Sequence, residues 1–346
     1  MTLSLVSVVI PAYNEENQIA GCLESVAAIS HDGFEVIVVD DNSTDKTVEV
    51  ASRYPVRVIR RSSRGGIAAA RNSGLQAVRG EIVAFVDADC VVDKSWLQLL
   101  LSHYTDSRIA GVGGVVGTRD SSFLAKYRNY IAKEQYADST GPVYGTPCIP
   151  GGNSSYRTNV LREIGGFDPA SARPIGYEEL ELGYRLVKNG YLLVGEPRAV
   201  VWHLREGNLR NWISGAYASG YSTLHFLGRY RSRQFLGLQV WQSFLLAFLV
   251  FCVISLTGAI PLPLVIDVVI AFALVVTLRA VRRSFRAVVH YKNPRYVVMI
   301  PVELMLTFTL CLGYVVALLE ALRCRALRIA GQMSGRLSHK SRIMST

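Results

Sequence analysis

Short apolar runs that end abruptly in polar residues mark the first hundred positions of the chain. Four runs rich in Val and Ile predict buried β-strands, at Ser4–Ile10, Glu35–Val39, Val56–Ile59 and Ile82–Val86. Helical stretches lie between them, at Gln18–Ala28, Asp45–Ser52 and Gly66–Val78. Buried strands that alternate with helices are typical of a parallel, doubly wound sheet, which binds its ligands beyond the carboxyl ends of the strands.

The pattern becomes less regular after about residue 110. Ile109–Gly117 is rich in Gly and Val, and Ser122–Gln135 has the spacing of a helix. The Gly- and Pro-containing stretch Gly141–Arg157 predicts a loop. A helix through Glu178–Lys188 and an extended run through Tyr191–His203 complete this part of the chain.

Long apolar segments follow and predict a membrane region. Phe235–Thr257 is an uncharged stretch long enough to span a bilayer, and Leu262–Leu278 is a shorter second span. Val297–Leu319 is a third candidate, but a third span would place a basic tail outside, against the positive-inside bias. The third segment is therefore a span, a re-entrant segment or an interfacial one. Asp267 and Glu303 lie within these apolar segments, either as a functional hint or near a wetted end.

The basic residues are distributed unevenly along the chain. The formal net charge is +10, and almost all of it belongs to residues 235–346, where only Asp267, Glu303 and Glu320 are acidic. Basic residues beside apolar spans indicate a cytoplasmic membrane face. The nearly equal numbers of acidic and basic residues before position 235 exclude a nucleic-acid surface.

The six cysteines form no C-x-x-C or metal-ligand spacing, so neither a zinc site nor a disulfide framework is expected. No signal peptide precedes the first strand, so we expect that domain in the cytoplasm.

The strongest chemical signal follows the fourth predicted strand. Asp87 and Asp89 are two residues apart there, and paired carboxylates can hold a divalent cation that bridges the phosphates of a nucleotide. Polar groups also follow the first two strands, at Tyr13-Asn14-Glu15 and Asp40-Asp41-Asn42. Because these strand ends share one edge of the predicted sheet, we expect their side chains to converge.

Taken in order, the segments VVIPAYNEE, VVDDNSTD, AARNSG and DAD resemble glycosyltransferase family 2, over residues 4 to 205. The resemblance implies an α/β fold, a Rossmann-like GT-A nucleotide-sugar-binding domain, followed here by a C-terminal transmembrane helical region. A dinucleotide-dependent dehydrogenase is excluded, because Pro-Ala-Tyr-Asn-Glu-Glu stands where that class has G-x-G-x-x-G.

The resemblance also implies roles for individual residues on the donor side. Tyr13 would stack on the base of a nucleotide-diphosphate sugar, and Asp41 would hydrogen-bond that base. Asp89 and His203 would hold Mg²⁺ or Mn²⁺. Each residue taken alone also suits a structural role, such as a helix cap for Asp41 or an ion pair for Arg71. The full set implied for the nucleotide-sugar is Pro11, Tyr13, Glu15, Asp41, Arg71 and Asp87.

On the acceptor side, the resemblance implies a catalytic base at the start of the helix that begins near residue 178. Glu179 occupies the position of that base, which is usually aspartate in the family, and Glu178 is the reserve candidate. The alternative is that these acids only favour a helix N-terminus. The acceptor region would include Gly151, Gly152, Asn153 and Arg185.

The expected protein is therefore an inverting, metal-dependent glycosyltransferase anchored in the cell membrane with its catalytic domain in the cytoplasm. Its acceptor would be a lipid-linked glycan or glycolipid, alternatively polyprenyl phosphate, and membrane lipids would be further partners. An inactive membrane scaffold is the alternative from another class. The expected organisation is a GT-A domain over 1–230 and a membrane region over 235–321 with two or three helices, followed by a basic tail over 322–346. The first domain divides into a nucleotide-binding half over 1–110, an acceptor half over 111–205 and an interfacial juxtamembrane segment over 206–234.

Overall fold

The computed structural model describes residues 5–31, 33–134, 141–171, 177–204, 209–230 and 260–343, with single positions between 245 and 255. The chain divides into two compact units, Met1–Leu209 and Arg210–Thr346. The helix that starts at Leu209 thus lies in the second unit, and the domain bounds expected from the sequence stay predictions.

The first unit is built from nine strands and seven helices among its described residues. The strands are β1 Val6–Ala12, β2 Phe34–Asp40, β3 Arg57–Arg60, β4 Ile82–Val86, β5 Cys90–Val92, β6 Ile109–Thr118, β7 Val143–Tyr144, β8 Asn153–Arg157 and β9 Leu192–His203. The helices are α1 Ile19–Ala27, α2 Thr47–Ala51, α3 Ile67–Ala77, α4 Trp96–Leu101, α5 Phe123–Glu134, α6 Thr158–Glu163 and α7 Glu178–Lys188.

The nine strands form one sheet in the order β3-β2-β1-β4-β8-β6-β9-β5, with β7 paired to β9. Strands β1 to β4 are mutually parallel, as the alternation of strands and helices predicts. The remainder is mixed, because β8 runs antiparallel to both β4 and β6, and β5 runs antiparallel to β9. The parallel sheet predicted from the first hundred residues is therefore confirmed for β1 to β4, and it continues as a mixed sheet after residue 110, where the sequence pattern becomes less regular.

Apolar layers cover both faces of the sheet around its central strands. Along β1, Val8 and Ile10 pack into the layer that contains Trp96, while Val9 packs with Phe85 into the opposite layer. Successive side chains of a strand point to opposite faces, so a strand buried on both sides needs a continuous apolar run. This is why β1, β2 and β4 stand out in the sequence.

Strand β8 contradicts the prediction that Gly141–Arg157 is a loop. Its residues Asn153, Ser154 and Ser155 are polar and fully buried, because it pairs with β4 on one side and β6 on the other. The Asn153 side chain uses all of its hydrogen-bonding atoms there: it accepts from Trp96 Nε1 at 2.8 Å and donates to two backbone carbonyls. Buried polar groups that are satisfied in this way leave no apolar pattern for the sequence to show.

The second unit contains α8 Leu209–Tyr230, α9 Leu262–Tyr291, a 3₁₀ turn at Pro294–Val298 and α10 Met299–Ile343. Two stretches, Leu262–Tyr291 and Pro294–Glu320, are helical, long and apolar enough to cross a membrane. They contain the second and third segments predicted as spans. The first predicted span, Phe235–Thr257, lies largely outside the described residues.

One of the two acidic residues within the apolar segments has a charged partner in the second unit. Glu303 is 5% exposed and accepts a hydrogen bond from Arg283 Nη1 at 3.1 Å, which joins α9 to α10. The charge of Glu303 inside an apolar segment is thus paired with the cation Arg283. Asp267 is exposed on α9. Helices α8 and α10 also meet closely, since a Cβ on Gly220 would lie 2.0 Å from the carbonyl oxygen of Leu310.

Candidate active site

A cleft of about 320 Å³ opens at the carboxyl edge of β1, β2 and β4. This is the edge at which the strand ends predicted a ligand site, because parallel strands present their polar terminal loops together there. The predicted donor and metal residues that line the cleft are Pro11, Tyr13, Glu15, Asp41, Asp87, Asp89 and His203.

The loop after β1 is held in place by the loop after β2. Asn14 has a positive φ of 54°, and its backbone N–H donates to Ser43 Oγ at 3.0 Å. The backbone N–H of Glu15 donates to Thr47 Oγ1 at 2.7 Å. Side-chain oxygens that satisfy loop N–H groups fix a turn which has no ladder partner of its own. The two loops thus present Tyr13 and Glu15 to the cleft as one ordered surface.

Asp41 anchors the third loop of the cleft. Its carboxylate accepts from the backbone N–H groups of Gly65 at 2.9 Å and Gly66 at 2.6 Å, and it pairs with Arg61 Nε at 2.8 Å. Asp41 is 3% exposed, so these contacts account for most of its surroundings. The structure gives this carboxylate a role in loop positioning, and the implied contact with a donor base stays a prediction.

Arg64, which the sequence reasoning missed, lies over Tyr13. Its guanidinium carbon is 3.9 Å from the centroid of the Tyr13 ring, within the range of a cation–π contact. One face of Tyr13 is therefore covered by a cation at the cleft. In the sequence, the one feature that distinguishes Arg64 is its position directly before Gly65 and Gly66, whose backbone N–H groups donate to Asp41.

Arg71 is a buried ionic centre below the cleft. Its side chain is 2% exposed, with Nη2 at 3.2 Å from Asp87 Oδ1 and Nη1 at 3.4 Å from Glu178 Oε1. Burial alone would lower the pKa of Arg71, but the carboxylates of Asp87, Glu179 and Glu178 outweigh it and raise that pKa. Arg71 thus joins the metal-side carboxylate Asp87 to the start of α7, and its own contacts are with protein carboxylates.

The pKa of Glu179 is raised from the usual range of a glutamate towards neutrality. Burial of its carboxyl group raises its pKa, and the neighbouring Glu178 and Asp87 carboxylates raise it further. Arg71 and a hydrogen bond from the Gly151 backbone N–H oppose this, and the result is a pKa of about 7. A carboxylate with a pKa near neutrality is half deprotonated at physiological pH and can accept a proton efficiently.

The glycine pair before β8 is required by the closeness of these charged groups. A Cβ on Gly152 would lie 2.1 Å from Asp87 Oδ2, and a Cβ on Gly151 would lie 2.5 Å from Glu179 Oε1. Backbone can therefore approach both carboxylates only where no side chain intervenes. This explains Gly151 and Gly152, which the sequence assigned to the acceptor region.

The other two residues assigned to the acceptor region have structural contacts. Asn153 is fully buried in the sheet, as described above. Arg185 forms a bidentate pair with Glu181 at 2.7 Å and donates to the carbonyls of Ile164 and Gly166. It thereby holds the turn after α6 against α7. Their implied contacts with an acceptor remain predictions.

The metal candidates Asp89 and His203 are neighbours in the fold. His203 Nδ1 lies 3.3 Å from Asp89 Oδ1, close to the separation expected for two ligands of one ion at bond lengths of about 2.0–2.2 Å. A carboxylate oxygen beside an imidazole nitrogen is a donor set that suits a divalent transition metal. The residues present therefore fit a metal ion. Cys90 completes this group, with its ligand atom within 4.8 Å of both others, although no cysteine spacing in the sequence pointed to a metal.

Comparisons with known proteins identify the family to which the chain belongs. The family model described as Glycosyl transferase family 2 matches residues 7–165. The chain is 32% identical over 222 residues to a pre-mycofactocin glycosyltransferase of Mycobacterium tuberculosis, covering 60% of this chain and 44% of the relative. It is 30% identical over 248 residues to glycosyltransferase AglE of Haloferax volcanii, covering 60% of this chain and 78% of the relative. It thus spans less than half of the first relative and most of the second.

A solved structure resembles the fold over most of the chain. It is the mannosyltransferase PcManGT from Pyrobaculum calidifontis in complex with GDP-Man and Mn²⁺, with a TM-score of 0.57 and 21% sequence identity, over 86% of each chain. The mixed sheet with its carboxylate-lined edge is accordingly the GT-A form of the nucleotide-sugar-binding α/β fold. The chain belongs to glycosyl transferase family 2.

Proposed function

We propose that this protein is an inverting glycosyltransferase that transfers a sugar from a nucleotide-diphosphate donor to a membrane-associated acceptor. The observation that carries the proposal is the arrangement around Arg71. One buried cation connects Asp87, at the donor cleft, with the glutamate pair at the start of α7, where Glu179 has a pKa of about 7. Arg71 thereby places a carboxylate that can act as a general base at neutral pH next to the cleft proposed to bind the nucleotide diphosphate.

The proposed reaction is a single displacement. Glu179 removes the proton from an acceptor hydroxyl, and that oxygen attacks the anomeric carbon as the bond to the diphosphate breaks. Attack from the face opposite the leaving group inverts the configuration. Arg71 holds Glu178 and Asp87 in place through its two contacts.

Mg²⁺ or Mn²⁺ would be held by Asp89 and His203, and such an ion neutralises the charge that develops on a departing diphosphate. Asp41 keeps the Gly65–Gly66 turn at the edge of the cleft, and the ring of Tyr13 offers an aromatic surface on which the base of the nucleotide would stack. Pro11 and Glu15 also line the cleft and would contact the donor there.

A membrane-associated acceptor is supported by the helical stretches Leu262–Tyr291 and Pro294–Glu320, which are apolar and long enough to span a bilayer. The basic residues beside them favour a cytoplasmic catalytic domain and contact with anionic lipids. Anchoring would raise the effective concentration of a lipid-linked acceptor at the active site. We favour a lipid-linked glycan or glycolipid, with polyprenyl phosphate as the alternative acceptor in the same reaction class.

The test is nucleotide-diphosphate release by the full chain in detergent, with UDP- and GDP-sugars, Mg²⁺ or Mn²⁺, and membrane lipid extract as the acceptor source. Glu179→Gln and Asp89→Asn should each abolish metal-dependent release. Glu163→Gln, at an exposed glutamate of the same unit, is the matched control and should retain it.

Each result has a separate meaning. Release that survives Glu179→Gln would move the base to Glu178. Neither release nor binding of any nucleotide diphosphate would refute the transferase and favour the inactive scaffold. Product analysis of the new glycosidic bond would show retention rather than inversion if the single displacement is wrong.

A further inference from the structure

Three different ligand atoms form a compact triangle beside the donor cleft. His203 Nδ1 is 3.3 Å from Asp89 Oδ1 and 3.3 Å from Cys90 Sγ, and the Cys90 sulfur is 3.6 Å from the same Asp89 oxygen. These are the described residues whose carboxylate, thiol and imidazole groups could share one ion. The triangle is nearly equilateral, so all three atoms can face a common point.

The sheet itself builds this triangle. Cys90 stands opposite His203 in the antiparallel pair of β5 and β9, and residues directly opposite each other project from the same face. Asp89 directly precedes β5, and its carbonyl accepts from the backbone N–H of Leu204 at 2.7 Å, which extends the pairing by one step. The positions of the three ligands are thus set by strand pairing and not by a mobile loop.

The dimensions of the triangle match tetrahedral coordination of a transition metal. Zinc binds carboxylate oxygen and imidazole nitrogen at about 2.0–2.2 Å and thiolate sulfur at about 2.3 Å. At a tetrahedral angle these bonds place an oxygen and a nitrogen about 3.3–3.6 Å apart, and a sulfur about 3.5–3.7 Å from either. The Asp89–His203 and Asp89–Cys90 distances lie in these ranges, and the Cys90–His203 distance of 3.3 Å is about 0.2 Å shorter. Mg²⁺ prefers an all-oxygen octahedral shell and has little affinity for sulfur.

We infer that Cys90 is the third protein ligand of the metal site, and that the site binds thiophilic divalent cations such as Zn²⁺ and Co²⁺ more tightly than Mg²⁺. The inference deepens the proposed function, because the same site would serve the donor diphosphate. Three protein ligands leave one tetrahedral position open to an oxygen of the substrate or to water. On binding, the sulfur–metal bond replaces the S–H bond of Cys90, and the proton passes to solvent.

The experiment is a Co²⁺ titration of the purified full chain in detergent without any donor. Thiolate ligation produces a sulfur-to-cobalt charge-transfer band in the near ultraviolet, which oxygen and nitrogen ligands alone do not produce. We expect the band to saturate at one equivalent, to be displaced by Zn²⁺ and to persist in excess Mg²⁺. Cys90→Ser should remove it and weaken Zn²⁺ binding at least about tenfold.

Cys22 provides the matched control. It is a second buried thiol near the site, but its sulfur contacts the backbone carbonyl of Asp87 at 3.6 Å and lies outside the triangle. Cys22→Ser should therefore keep the band. X-ray absorption of the Zn²⁺-loaded wild type tests the same point without any variant, and should show a sulfur neighbour at about 2.3 Å.

A wild type without the band, a band that survives in Cys90→Ser, or a zinc shell of oxygen and nitrogen only would each overturn the inference. None of these readouts requires turnover. If sulfur ligation is absent while metal-dependent release still needs Glu179, the inference alone fails. If the band appears but no donor is bound or cleaved, the proposed function fails and the metal site stands.

Discussion

Replacing the proposed base should make the first unit more stable above neutral pH. The pKa of Glu179 is raised from its ordinary 4.5 to about 7, mainly because its carboxyl group is buried. The folded protein therefore binds this proton more tightly than the unfolded chain does. The resulting stabilisation is fully present below about pH 4.5 and is lost as the pH rises through about 7.

The size of the effect follows from the two pKa values. A difference of about 2.5 pKa units, between 4.5 and about 7, corresponds to about 3 kcal/mol at 1.36 kcal/mol per unit. Glu179→Gln cannot ionise, yet its amide oxygen can still accept the hydrogen bond from the Gly151 N–H. At about pH 8 the variant should thus be more stable by up to about 3 kcal/mol, and its midpoint of thermal unfolding should rise by roughly 6–12 °C.

The assay is thermal unfolding in detergent, followed by tryptophan fluorescence near pH 5 and near pH 8. At the lower pH the variant and the wild type should differ little, because Glu179 is protonated in the folded wild type. Glu163→Gln, at an exposed glutamate, should change neither midpoint. Equal midpoints for the variant and the wild type at both pH values, or a lower midpoint for Glu179→Gln at the higher pH, would refute the conclusion that burial of the ionised Glu179 carboxylate destabilises the folded protein.

Three further predictions concern activity and the helices. Donor cleavage per unit time should fall about tenfold for each pH unit below about 7, as the base becomes protonated, and a flat profile would contradict this. Gly152→Ala places a Cβ 2.1 Å from Asp87 Oδ2 and should lower release at least tenfold, roughly 1.4 kcal/mol, whereas Gly141→Ala meets open space and should not. Arg283→Leu leaves the Glu303 carboxylate buried without its cation and should cost about 3–5 kcal/mol of stability in detergent. The double variant with Glu303→Leu should recover most of that loss, and a double variant as unstable as the single one would count against the ion pair.

The sequence predicted the nucleotide-binding half of the fold well, and the reason is local. Strand β4 was predicted with the bounds that the structure has, and β1 was predicted within two residues at each end. These strands are buried on both faces, so their sequences are uninterrupted apolar runs that end where the backbone reaches the edge of the sheet. The same property explains why Tyr13, Asp41 and Asp87 were placed at one cleft.

The second half of the unit was predicted less well, and β8 shows the cause. Its Asn-Ser-Ser-Tyr-Arg sequence has no apolar period, because the side chains of Asn153 and Ser155 donate hydrogen bonds to carbonyls of the neighbouring strand β6 in place of apolar contacts. Short elements such as β5 and α4 were also missed. A segment whose environment comes from distant strands cannot be identified from its own composition.

The sequence by itself predicted a carboxylate-lined edge of the sheet, since apolar runs and the carboxylates at their ends are features of neighbouring positions along the chain. The class of chemistry came from the resemblance of its ordered segments to glycosyltransferase family 2. Only the tertiary structure decided which groups act on one another. Arg71 meets Glu178 across 107 positions, and Cys90 meets His203 across 113. Such contacts depend on which strands pair and in what register, and a shift of one residue would turn every side chain of a strand to the opposite face. The raised pKa of Glu179 and the grouping of Asp89, Cys90 and His203 are therefore properties of the folded sheet.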